Sequence, residues 1–589
     1  MKQFSFLLYK EEDLALCLQE AKDVVASMAH ISDLLVTLFA SELSVHTMAD
    51  FERATRRIFP QAKVVGFAAE CGFANGKMWS GEDDLPDAAS AVVTFTFFSS
   101  SRVIPLAFDE QSDISAAAKG LVQTISQEKA TKAVGLFFAA QVPGIMNLLD
   151  ALSDVDEEIV LFGGLLSDQM DERRITIDLA GHRMSRGFLA VVFVGEELHA
   201  KAQISFGWKP FGPEVQITRM ADERTIVELD EKPASEFFSH YLGIRHCWES
   251  LASVETFPMC LKRNGATLAR RLMDIHADGC VYVSADLREG ERLRIASGDP
   301  IAIISEAQRA HAELCDFSPE AVFIVNCMGH YVMLQQNNLY EYAAISHAVP
   351  TQGFYSFAEF FRSKGKFMKT NLMMVSVGFR EGEPKETSIY KPVSPQFGEQ
   401  TSIIAHLVHF VDAMTKEWES AHSKLVVLAE RDALTGLMNR RAMERSFKDI
   451  LHDALASDIP FAVMMLDMDD FKGINDTFGH AMGDEALVAL ADILRSSVRS
   501  VDIVSRWGGD EFFVILTHAD RAAAERVVER IHRGASSLSL LMPDKRSVGL
   551  SIGVTLSSAH DTPESVFQRA DAALYESKRT TGKNKVTFR

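Results

Sequence analysis

AVMMLDMDDF (462–471) and VDIVSRWGGDEFFVIL (501–516) are the two stretches on which the fold of the last third turns. The first is an apolar run of strand length that ends in Asp467, Asp469 and Asp470. The second reads as a hairpin with Gly508-Gly509-Asp510-Glu511 at its turn. Paired glycines supply the positive φ angles of a tight hairpin, and without side chains they let a ligand lie against the backbone. If the two strands are neighbours, Asp467 and Asp510 come within reach of one ion. Carboxylate and carbonyl oxygens suit Mg²⁺, with Mn²⁺ as the alternative, and a cation between two carboxylates is what phosphoryl transfer needs. An acidic hairpin with no function is the competing reading of either stretch taken alone.

Working outward, residues 432–589 read as a compact α+β unit. The expected order is a helix (440–457), a strand (460–467), two helices (470–498) and a strand-turn-strand (501–518). A helix (521–536), a strand (546–557), a helix (563–579) and a short last strand follow. Antiparallel pairing with helices over one face predicts a ferredoxin-like, palm-type arrangement. Upstream, at 398–431, Ile404, Leu407, Val411, Met414, Trp418, Ala421, Leu425 and Leu428 follow an unbroken 3,4 spacing without Gly or Pro, the seam of a coiled coil. The alternative is an amphipathic helix packed on its own domain. Residues 1–395 alternate apolar β-rich runs such as KAVGLFFAA and GFLAVVFVG with amphipathic helices. They predict a two-part mixed α/β region divided near residue 230, and with it an α/β and α+β multidomain chain.

A chain of 589 residues exceeds one hydrophobic core. A formal net charge of −21 argues against nucleic acid as a partner, since phosphate backbones demand basic surface. Seven cysteines, an odd number, fit a reducing compartment better than a disulfide framework. The N-terminal MKQFSFLLYKEEDLA is too short for a signal-peptide core, and no run approaches the roughly 18 apolar residues of a membrane span. The expected location is the cytoplasm.

RWGGDEF (506–512) resembles the signature of the GGDEF family, the diguanylate cyclases. DALTGLMNRR (432–441) resembles that family's opening motif, and LDMDDFKGINDTFGHAMGDEAL (466–487) its metal and guanine segment, so the likeness spans 432–589. The resemblance implies synthesis of cyclic di-GMP from two GTP. It implies Asp467 and Asp510 as metal ligands with the Met468 carbonyl, and Glu511 as a further ligand or the general base. Asn475 and Asp484 would read guanine, Gly508 and Gly509 would lie against the substrate, and Lys472 and Lys578 would contact phosphates. No GxxxxGK[ST] loop occurs, so metal, lysines and backbone must hold the phosphates. SKRTTGKN carries one residue more than the family's usual ending, which puts Lys583 in doubt. Arg499 and Asp502, an RxxD before the hairpin, and Arg530 match the family's inhibitory product site. One domain holds one GTP, so the resemblance also implies a homodimer. A silent module that binds GTP or cyclic di-GMP without turnover is the alternative.

The N-terminal region resembles the FIST sensory family, through VVGFAAECG (64–72), VLFGGLLSDQ (160–169), ISFGWKPFGP (204–213) and TIVELDEKPASEFF (225–238). LREGERLRIA (287–296), AVFIVNCMGH (321–330) and TQGFYSFAEF (351–360) carry its C-terminal part. The resemblance implies a small-molecule sensory ligand, unidentified by sequence. Cys327, His330, Tyr355 and Glu359 are candidate pocket residues, and simple core residues are the competing reading. Some members of the family bind haem; here its ligand would equally be His182, His240 or none.

Overall fold

The computed structural model describes residues 1–589 apart from 10–12, 42, 44, 81–90, 110–113, 141–143, 168–175, 244–256, 386–389, 396–398, 458, 546–547, 559–560 and 580–584. The chain forms two compact units, Met1–Thr415 and Lys416–Arg589. Lys583 and the ending 580–584 lie outside the described residues, as do positions 168 and 169 of the second FIST-like segment.

Several strands of the first unit are apolar on both faces. Gly187–Val194 (GFLAVVFV) is buried along its whole length, as a strand covered on two sides must be. Phenylalanines fill the space between sheets: Phe39 stacks on Phe67 at 4.9 Å, and Phe137 meets Phe323 edge-on at 5.6 Å. Strand pairings join the two sides of position 230. Cys71–Ala74 pairs with Thr351–Ser356, and Val160–Leu165 pairs with Glu359–Ser363. The two halves of the sequence therefore share sheets, and the largest core draws on both.

Glu399–Glu430 is one unbroken helix of 32 residues. Along the expected seam Leu407, Val411, Met414, Trp418 and Leu425 are exposed, by 37% to 64%. The side chains of Ile404 and Leu428 lie outside what is described.

The second unit carries the expected elements in the expected order. Arg440–Ser457, Phe471–Phe478, His480–Ser497, Arg521–Ala535 and Pro563–Arg579 are helices. Its six-stranded sheet runs Met438–Asn439, Ile503–Gly508, Glu511–Leu516, Ala462–Asp469, Gly549–Leu556, Val586–Phe588. The four central strands pair antiparallel. Helices cover both faces of this sheet, where the sequence reading expected one. Met464, Leu466, Phe512 and Val514 meet the helices at 471–497 and 521–535. Val463, Met465, Phe513 and Ile515 meet those at 440–457 and 563–579. The cause is visible in AVMMLDMD: its apolar run does not alternate with polar residues, so both faces have to be covered.

Candidate active site

The antiparallel register sets Asp467 directly opposite Glu511. Residues facing each other across such a pair point to the same side of the sheet, so the two carboxylates share a face. The turn completes the cluster, because the Met468 amide donates to the Asp510 carbonyl at 3.4 Å. The three acids of the first strand go separate ways. Asp469 accepts from the Ser551 hydroxyl at 2.6 Å. Asp470 adopts a left-handed conformation (φ 60°, ψ 31°) that starts the next helix. Asp467 is the one set directly opposite the hairpin, at Glu511.

Of the two turn glycines, only Gly509 has a positive φ, 52°. This corrects the expectation that both would: the loop needs the left-handed region at its first residue alone. A Cβ added at either glycine would meet nothing within 4 Å, so the surface over the turn is open to a ligand.

Electrostatics mark the cluster. Asp467 is buried, and burial raises its pKa from 3.8 to about 6; the nearby Asp510 and Glu511 carboxylates add to the rise, and Lys578 opposes it. The Lys578 ammonium lies 2.6 Å from Asp467 Oδ2. The sequence reading placed Lys578 on phosphates; here its partner is the acid itself. Among the described residues no three His, Cys, Asp or Glu side chains are gathered as a metal-binding group. A Mg²⁺ that takes one or two carboxylates and completes its shell with phosphate oxygens and water needs none. The mutual repulsion of Asp467, Asp510 and Glu511 fits a site that a cation relieves. Met468 buries its side chain in the core, which leaves only its backbone for a ligand role.

The helix pair after the first strand positions Asn475 and Asp484. Gly479, at φ 86°, separates the two helices. Asn475 Oδ1 is buried without a hydrogen-bond partner. It lies over Gly483, where an added Cβ would stand 2.0 Å from that oxygen. An unpaired acceptor of this kind costs on the order of 1–3 kcal/mol unless something pairs with it. Asp484 and Lys472 are exposed.

Asp502 is tied into its own loop. It accepts from the Arg499 amide at 2.9 Å and from the Thr517 amide at 3.0 Å. Arg530 donates to the Ser497 carbonyl at 3.1 and 2.8 Å. Arg499, Asp502 and Arg530 line one cleft, so the structure brings the three together. Arg526 lines it too; sequence reasoning missed it, although it sits one helical turn before Arg530. Also missed was Arg506, which bridges the hairpin turn to the opening motif at Asp432.

In the first unit the four candidate pocket residues are buried. Cys327 Sγ accepts from the Leu372 and Gly329 amides at 3.1 and 3.3 Å. Burial and the neighbouring Glu359 push its thiol well above the usual range. Glu359 is likewise pushed up by burial, and its Oε1 has no hydrogen-bond partner. His330 is bound at both ring nitrogens, by Glu341 at 2.8 Å and the Leu372 carbonyl at 3.1 Å. Tyr355 packs edge-on against Phe73 and Tyr331 at 5.7 and 5.2 Å. Cys327 and Glu359 therefore adjoin, Cys327 and His330 meet on Leu372, and Tyr355 packs among the aromatic rings. With both nitrogens engaged, His330 does not fit a haem ligand. His182 and His240 are exposed.

Residues 429–585 match the family described as diguanylate cyclase, GGDEF domain. The last third of the chain is a GGDEF domain. Residues 34–232 match the FIST N domain and 234–362 the FIST C domain, so the chain carries both parts of the FIST region ahead of it. Response regulator PleD of Caulobacter vibrioides is 40% identical over 163 residues, 27% of this chain and 36% of that protein. Diguanylate cyclase DosC of Escherichia coli K12 is 40% identical over 157 residues, 26% of this chain and 34% of that protein. The chain thus spans about a third of the length of these relatives. A crystal structure of the coiled coil and GGDEF domain of DgcB from Caulobacter crescentus, in complex with c-di-GMP, is 29% identical. It covers 32% of this chain and 100% of that one, with a TM-score of 0.30. Among the described residues no helix is long and apolar enough to cross a membrane.

Proposed function

We propose that this chain is a diguanylate cyclase, a nucleotidyltransferase that condenses two GTP into cyclic di-GMP and two pyrophosphates. The observation that carries the reading is the buried Asp467 opposite Glu511, beside the open Gly509-Asp510 turn, within a segment that matches the GGDEF family. Asp467 and Asp510 would hold the metal with the Met468 carbonyl. A bound Mg²⁺ would neutralise the triphosphate and lower the barrier to nucleophilic attack at the α-phosphate. The chain's own groups supply the rest. Asn475 and Asp484 read the guanine edge, Lys472 and Lys578 take phosphate charge, and Gly508 and Gly509 let the nucleotide lie on the turn. Glu511 accepts the proton of the 3′-hydroxyl. That oxygen bonds to the α-phosphorus of the other GTP, the α–β bridge breaks, and pyrophosphate leaves; the same step in the opposite sense closes the ring.

Two copies must face each other for this chemistry, because each domain presents one nucleotide. The exposed seam of the helix Glu399–Glu430 supplies a parallel dimer interface. The FIST parts, 1–230 and 231–395, would sense a small molecule in the cytoplasm and alter the register of that helix. The cleft of Arg499, Asp502 and Arg530 would hold the product and slow the enzyme, since arginine forks suit its phosphates and guanine edges. Lysines at Leu407 and Met414 test the pairing: the expected result is a folded monomer without turnover. Full turnover in a monomer would overturn it.

A further inference from the structure

Lys578 stands at the end of a helix that cannot easily move. Pro563–Arg579 buries Val566, Ala570, Ala573 and Leu574. It also lies so close to the strand Gly549–Leu556 that a Cβ at Gly553 would be 2.2 Å from the Leu574 amide. Ser577, the residue before the lysine, is fixed through its hydroxyl to the Ile552 carbonyl at 2.8 Å. The lysine side chain itself is 41% exposed and ends on Asp467 Oδ2, while the Asp467 side chain is only 10% exposed. A mobile ammonium on a rigid base thus covers an oxygen that a cation shared with Asp510 would need.

We propose that Lys578 is the resident counter-ion of Asp467, and that it yields this carboxylate to a divalent cation only when a nucleoside triphosphate offers the ammonium another anion. The proposal rests on the reading of Asp467 as a metal ligand. Two cations close to one carboxylate oxygen repel each other, so metal binding alone must displace the ammonium without giving it a partner of equal charge. Triphosphate oxygens supply that partner, and a lysine's compact charge on a flexible stem can move to them. Metal and nucleotide then each raise the other's affinity by the same factor, on the order of tenfold for couplings of this kind. The lysine thereby makes the acid cluster a poor site for bare cations.

The test titrates Mn²⁺ into the full chain, following the electron paramagnetic resonance of the free ion, with and without the α,β-methylene analogue of GTP. Wild type, Lys578→Met, Lys578→Arg and Asp467→Asn are compared, with circular dichroism as the check on folding. The expected result is Mn²⁺ binding about tenfold tighter in Lys578→Met than in wild type without nucleotide, and a smaller further gain on adding the analogue than wild type shows. Lys578→Arg, which keeps a cation, should stay as weak as wild type until the analogue is added. Equal Mn²⁺ affinity of wild type and Lys578→Met without nucleotide overturns the proposal. If Asp467→Asn binds Mn²⁺ with the analogue as tightly as wild type, the metal is not held at Asp467, and the underlying reading falls as well.

Discussion

Arg506 grips Asp432 across 74 residues of sequence, with one guanidinium nitrogen 3.2 and 3.3 Å from its carboxylate oxygens. Its remaining nitrogens donate to the Gly509 carbonyl at 3.0 and 2.7 Å. The guanidinium therefore ties the residues that follow the long helix to the turn that carries Asp510. Asp432 is itself fixed, accepting from the Thr435 amide and hydroxyl at 2.9 and 2.7 Å.

Breaking this clamp should loosen the turn more than it weakens the fold. Arg506→Ala is expected to lower kcat about tenfold or more, with stability reduced by about 1.5–3 kcal/mol, the range of a hydrogen bond to a charged group. Lysine should not restore activity, because a point charge cannot serve Asp432 and Gly509 together. A double-mutant cycle on kcat with Asp432→Ala should show coupling between the two sites. Independent effects would mean that the bridge does not act as a unit.

Gly483 sets where Asn475 stands. Gly483→Ala would bring a Cβ to 2.0 Å from Asn475 Oδ1 and 3.2 Å from the Phe471 ring. The amide, at the free end of its side chain, is the group that gives way. The expected outcome is a folded enzyme whose KM for GTP rises about tenfold, because a polar recognition group has lost its place. Its preference for GTP over inosine triphosphate should shrink as well. An unchanged KM and preference would show that Asn475 does not read the base.

The hairpin was legible because its signal is local. Gly508-Gly509 between two apolar runs can hardly be anything else, and every helix of the last third was readable from spacing within it. The Arg506–Asp432 bridge was not, since no local rule joins residues so far apart. Nor was the sharing of sheets across position 230, because an apolar run such as VLFGGL states that it is covered but not by which strand. Lys578 was read onto phosphate from its place in the family pattern; its partner in the folded chain depends on the helix end meeting the acid strand. The meeting of Cys327 and His330 on Leu372 was hidden for the same reason, since Leu372 lies 45 and 42 residues further along the chain.

Asp467 couples function to stability with a definite sign. Its pKa is raised to about 6, so the folded chain binds its proton more tightly than the unfolded chain does. Ionisation at neutral pH therefore destabilises the fold, fully above pH 6 and not below the unfolded value near 4. Asp467→Asn should be more stable than wild type at pH 7.5, by up to about 3 kcal/mol, with the difference fading between pH 6 and 4. Calorimetry of the full chain, in the transition that the GTP analogue shifts in wild type, checks this. A variant less stable than wild type at pH 7.5 would reverse the sign and refute the argument.

The most direct measurement incubates the full chain, stripped of bound nucleotide, with GTP and Mg²⁺ and resolves the products by mass spectrometry. Asp510→Ala serves as the control, and Arg499→Ala removes inhibition by product. The account predicts cyclic di-GMP from wild type and from Arg499→Ala, the latter persisting as product accumulates, and none from Asp510→Ala. Absence of product from both wild type and Arg499→Ala, or equal product from Asp510→Ala, would contradict it.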